Sequence, residues 1–134
     1  MFTPGLVLKL LRESRDLKQS TLVERVDPND KGEPFSVPTL SKAENDDYSE
    51  DTLKRILKAL GLTVDEFNNL VDRLNAAWRS PDPDVKKRLE DAAFWHQYTN
   101  LETDEWRQLA RNALEAFHRM KQDAIDRRRR RNPP

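Results

Sequence analysis

Between Ser49 and Glu66 the chain spells out a helix, its stop and the start of the next helix. Ser49 suits an N-cap, because its hydroxyl accepts an amide hydrogen that the first helical turn leaves unpaired. Glu50 and Asp51 follow it, where the helix macrodipole favours negative charge. Leu53, Ile56, Leu57 and Leu60 then recur with the period of one helical face. Gly61 stands where a helix ends in a left-handed residue, and Leu62 is the apolar residue expected after such a stop. Thr63 and Glu66 form a capping box for the next helix. Its apolar face continues through Phe67, Leu70, Val71, Leu74 and Trp78. This grammar predicts an all-α chain.

The rest of the sequence follows the same rules. A first helix is expected over residues 4–15, with Leu8 and Leu11 on one face and Leu6 and Leu10 beside them. A short one over 19–26 turns Leu22, Val23 and Val26 inward. Residues 27–34, DPNDKGEP, read as a loop. A third helix covers 37–45, with Ser36 as its cap, Pro38 in its first turn and Leu40 and Ala43 inside. After the break at 80–83, SPDP, a helix is expected near 83–98, carrying Val85, Leu89, Ala92 and Trp95 or His96 on one side. Thr103 opens a long last helix with a stripe of Trp106, Ala110, Ala113, Phe117, Met120 and Ala124. Composition agrees, with 17 Leu against 7 Val and 2 Ile, since β-branched residues disfavour helix. The expected organisation is five short helices in 1–79 and a helical extension of about two helices in 80–134, ending in a basic tail at 127–131.

Several chemistries are excluded or left without support. The chain has 0 Cys, so disulfide scaffolds, thiolate metal sites and thiol catalysis are out. Its 3 Gly form no phosphate-cradling loop. No apolar run has the length of a membrane span, and the first residues lack a basic leader, so a cytoplasmic protein without membrane contact is expected. His96 and His118 stand apart with no partner ligands, and the paired carboxylates Asp46-Asp47 and Asp104-Glu105 read as turn and helix-start charges. No catalytic residue, metal or cofactor is expected, and the chain does not read as an enzyme.

A constellation in the first half points to a binding function. One helix ends at Arg12-Glu13-Ser14-Arg15, and Leu17-Lys18-Gln19 opens the next, which buries Leu22 and Val23. Thr39-Leu40-Ser41-Lys42-Ala43-Glu44-Asn45 follows the loop, and Leu53 through Gly61-Leu62 lead into Asp65-Glu66-Phe67. This order resembles the phage-repressor, or Cro/repressor (Xre-type), helix-turn-helix domain over about residues 3–72. The resemblance implies a repressor-like regulator that binds double-stranded DNA, commonly as a homodimer. The helix at 37–45 would be the recognition helix. Val37, Pro38 and Thr39 would meet base edges, with Ser41 and Lys42 one turn on and Asn45 near the DNA backbone. Gln19 would sit beside a phosphate. Arg12 and Glu44 match a family ion pair that ties the first helix to the third.

The chain departs from the family at three places. Residues 27–34 lengthen a turn that is normally very short. Val37 and Pro38 offer a base only apolar contact, as against a thymine methyl. Asp46 and Asp47 put carboxylates where a glycine and a basic residue are usual, and they repel phosphate unless turned away.

The formal charge of zero is unevenly spread. Residues 1–72 hold 10 basic and 14 acidic residues, whereas residues 127–131 are all arginine. Lys9, Arg12, Arg15, Lys18, Lys42, Lys54 and Arg55 are the candidates for one basic face. Arg127, Arg128, Arg129, Arg130 and Arg131 are candidates for non-specific phosphate contact, or else a solvated helix end. The aromatic and leucine stripe of 85–120 would close a small core or form a dimer interface. The acidic first half supports a second reading, a protein-interaction module or antitoxin-like adaptor that binds a protein partner through its C-terminal helices.

Overall fold

The computed structural model describes residues 2–28, 32, 34–79 and 103–131, apart from the side chains of residues 77, 78, 103 and 106. The expected helix near 83–98, the break at 80–83 and His96 lie outside the described residues, as do the side chains of Trp78 and Trp106. The described residues form six α-helices and no strand. They are α1 (Pro4–Ser14), α2 (Gln19–Arg25), α3 (Val37–Glu44), α4 (Glu50–Leu60), α5 (Val64–Arg79) and α6 (Thr103–Arg131).

The α4–α5 corner forms as its residues dictate. Ser49 accepts from the Thr52 amide at 3.2 Å. Gly61 adopts φ 76°, and the Leu62 amide donates back to Leu57 O at 2.9 Å. The Glu66 amide donates to Thr63 Oγ1 at 3.1 Å, and the Thr63 amide donates to Glu66 Oε1 at 3.3 Å. Leu53, Ile56, Leu57, Leu60, Leu62, Phe67, Leu70, Val71 and Leu74 all enter the core.

Two further helices stop in the same way with Asp in place of Gly. Asp16 ends α1 at φ 53°, and the Leu17 amide donates to Arg12 O at 3.2 Å. Asp46 ends α3 at φ 67°, and the Asp47 amide donates to Lys42 O at 2.9 Å. A side chain in this left-handed region is strained, although Asp tolerates it better than most. The two aspartates differ in what their carboxylates do. That of Asp16 makes no hydrogen bond or ion pair among the described residues, whereas Asp46 Oδ1 accepts from the Gly5 amide at 2.7 Å. Substitution to glycine is therefore expected to act in opposite directions. Asp16→Gly should leave stability unchanged or raise it by up to about 1 kcal/mol. Asp46→Gly should lower it by about 1–2 kcal/mol, because it removes a carboxylate cap from the start of α1. Urea unfolding of the two variants checks the difference in sign.

Helix α1 is the centre of the fold. Gly5, Val7, Leu8, Leu10, Leu11, Arg12 and Ser14 are all buried, so its apolar residues do not confine themselves to one stripe. It packs against α3, α5 and α6. Its entry is fixed from a distance. Buried Asn75 on α5 accepts from the Phe2 amide at 2.7 Å and donates to Phe2 O at 2.9 Å.

Helix α6 runs antiparallel along α1. Arg15, after the end of α1, pairs with Glu105 at 3.8 Å, while Leu6 and Lys9 near its start share a groove with Met120 and Asp123. Among the described side chains of α6, Leu109, Ala110, Ala113, Ala116 and Phe117 are buried, with Met120 partly covered. Alanines at the contact let two helix axes approach closely. The expected stripe needs two changes here. Leu109 and Ala116 join it, and Ala124 drops out into solvent, because α1 has already begun at that level. Ala110, Ala113 and Phe117 are thus buried within the chain's own core.

Candidate nucleic-acid interface

Helix α3 is set by its two ends and its inner side. Ser36 Oγ accepts from the Thr39 amide at 3.3 Å and lies 2.7 Å from Thr39 Oγ1. Leu40 and Ala43 are fully buried and press the helix onto α1 and α2. At 3.6 residues per turn, Val37, Pro38, Ser41, Lys42 and Asn45 fall within an arc of about 140° opposite those anchors. Val37 is 38% exposed, Pro38, Lys42 and Asn45 are exposed, and Ser41 is half-buried. Thr39 does not share this face. It lies to one side, half-buried, with its hydroxyl held by Ser36. Asn45 Nδ2 donates to Ser41 O at 2.9 Å.

A charged network orients α3. Arg12 Nε donates to Glu44 Oε2 at 2.9 Å and Nη2 donates to Glu44 Oε1 at 3.0 Å, a two-pronged pair. Its side chains are only 11% and 5% exposed. Arg12 Nη1 donates to Leu17 O at 2.7 Å, and Gln19 Nε2 donates to Glu44 Oε1 at 3.3 Å. One carboxylate therefore gathers α1, the start of α2 and the end of α3. Gln19 is half-buried at the first position of α2, with its amide turned toward Glu44.

The carboxylates after α3 are arranged differently from each other. Both are exposed, but Asp46 Oδ1 accepts from the Gly5 amide at the start of α1, whereas Asp47 makes no side-chain hydrogen bond or ion pair among the described residues. Beside them, burial and the Asp46 charge push the Tyr48 phenol above its usual pKa.

The expected basic face does not hold together, because several of its cations are used internally. Arg12 is buried on Glu44. Arg15 is partly buried against α6, where burial lowers its pKa and Glu105 opposes the shift. Lys54 stays exposed, in a surface pair with Glu50 at 3.4 Å. Arg55 Nε and Nη2 donate to Asp27 O at 3.1 and 2.9 Å, and its guanidinium lies 5.1 Å from the centre of the Phe35 ring. Lys58 adds an ion pair to Asp27 at 3.5 Å. Arg55 thereby ties Asp27 and Phe35 to α4. Lys9, Lys18 and Lys42 are exposed and make no ion pair among the described residues.

No family model, curated protein or solved structure matches this chain. Its function is read from its own geometry.

Among the described residues, no group of three or more His, Cys, Asp or Glu is placed to hold a metal ion. No helix of theirs is long and apolar enough to cross a membrane. Arg127, Arg128, Arg129, Arg130 and Arg131 form the exposed end of α6. Sequence reasoning missed Asp46 and Gly5 as partners. The only signal was an Asp-Asp pair at a helix end, which does not say where the carboxylate goes.

Proposed function

We propose that this protein is a DNA-binding regulator that lays α3 in the major groove of double-stranded DNA, acting in the cytoplasm as a repressor-like homodimer. One observation carries the reading. Glu44 gathers Arg12 and Gln19 behind α3, leaving Val37, Pro38, Ser41, Lys42 and Asn45 together on the outer face. Asp46 Oδ1 is held at the start of α1 by the Gly5 amide, which fixes where that carboxylate sits beside the face.

The face divides its tasks by chemistry. Val37 and Pro38 offer apolar contact to a thymine methyl. Lys42 donates to guanine O6 or N7, or to a phosphate. Asn45 pairs with adenine once its amide leaves Ser41. Lys18, exposed just before α2, approaches a phosphate, while Gln19 holds Glu44 behind α3. Paired copies would set two α3 helices one DNA turn apart, about 34 Å, so the bound sequence should be a near-palindrome.

Enrichment of duplexes from a random pool by the full chain tests this. A shared, twofold-symmetric site is expected. Lys42→Ala should weaken binding to that site about tenfold, the lower end of the range for losing one base contact. Absence of any enriched sequence at low salt would overturn the reading.

A further inference from the structure

We infer that the five arginines ending α6 are a fixed phosphate clamp for double-stranded DNA, held beyond the start of α1 so that they grip the flank next to the α3–α4 turn. The inference rests on the proposed DNA-binding role of α3 and adds a second contact surface to it.

The placement follows from helix packing. Asp123 lines the groove beside Leu6 and Lys9, so α6 has drawn level with the first turn of α1 there. Eight more helical residues carry the chain about 12 Å past that point at 1.5 Å per residue. The start of α1 is also where Gly5 meets the Asp46 carboxylate, between α3 and α4. The arginine end therefore projects from the same end of α1 that abuts the α3–α4 turn. It is carried on a helix anchored by Leu109, Ala113, Ala116 and Phe117.

Charge says what the clamp is for. Outside residues 127–131 the chain holds 19 basic and 24 acidic residues, so the body as a whole repels a polyanion. Arg12, Arg15 and Arg55 are held by internal partners, which leaves Lys9, Lys18 and Lys42 as the exposed cations of the expected basic face that make no ion pair among the described residues. Arg127, Arg128, Arg129, Arg130 and Arg131 are exposed and make no ion pair among the described residues. The helix dipole favours positive charge at this end, but like charges one turn apart repel each other. A row of phosphates relieves that repulsion. Side chains advance by about 100° per residue, so three or at most four of the five can share one surface.

The test compares three full-length proteins on the duplex that the wild type enriches: wild type, a variant with all five arginines changed to Gln, and one with all five changed to Lys. Thermal unfolding should be alike, because the arginines are exposed. Each phosphate neutralised adds about 0.9 to the slope of log K against log salt, so the Gln variant should lose about 3 from that slope. The Lys variant should keep most of it. Hydroxyl-radical footprints should show the wild type protecting a flank outside the base-contacted site, and the Gln variant losing that protection alone. An unchanged slope and footprint in the Gln variant would overturn the clamp while leaving the role of α3 standing. A wild type that binds no duplex would overturn both. A change confined to self-association or to binding of anionic vesicles would overturn the clamp as a DNA contact.

Discussion

Replacing Glu44 with Ala is expected to destabilise the protein by about 3–5 kcal/mol, the cost of stranding a buried charge. Arg12 keeps its bond to Leu17 O but loses both prongs of its ion pair. Water cannot easily replace them, because the Arg12 side chain is only 11% exposed. Gln19 loses its acceptor in the same change. The effect reports one missing partner rather than the net worth of the pair. Changing both, as Arg12→Met with Glu44→Leu, should recover most of the loss, since apolar replacements of similar volume remove the desolvation cost as well. Urea unfolding of the single and double variants measures this. A loss below about 1 kcal/mol in Glu44→Ala would mean that the pair behaves like an exposed one.

Gly5→Ala is the second large effect. A Cβ built at Gly5 falls 2.7 Å from Ala43 O, 2.7 Å from Glu44 O and 2.8 Å from Asp46 N. All three are backbone atoms, so no side-chain rotation relieves the clash. The start of α1 and the end of α3 must move apart, loosening the Gly5–Asp46 bond that joins them. Overpacking of this kind costs about 1–3 kcal/mol and more when backbone must shift, so about 3 kcal/mol is expected. That exceeds the gain of up to about 1 kcal/mol that Ala brings over Gly in a helix. A variant as stable as the wild type in thermal unfolding would contradict the close crossing of α1 and α3.

These two sites mark where local sequence signals stop. The α4–α5 corner was legible because every interaction in it lies within a few residues. Ser49, Gly61, Thr63 and Glu66 all act on their own neighbourhood. The Arg12–Glu44 pair was named only through a family resemblance, since nothing local links residues 32 apart. Gly5 reads as an ordinary glycine after proline at a helix start, and only the crossing of α3 shows why a side chain is excluded. The αL stops at Asp16 and Asp46 were hidden because Gly is the usual signal and Asp serves many turns. Helix α1 carried no clean amphipathic stripe because neighbours cover it on several sides. The stripe of α6 was misjudged at Ala124 for the opposite reason, since periodicity continues after the helix it packs on has run out. The basic face failed because a sequence counts cations without showing which are already paired.

Contact between the outer face of α3 and DNA is read from the backbone amide signals of the full-length protein as an enriched duplex is added at low salt. The largest shifts are expected at Val37, Ser41, Lys42 and Asn45, with the buried amides of α4 little changed. Shifts confined to residues 127–131, or no shift along α3 at saturation, would contradict it.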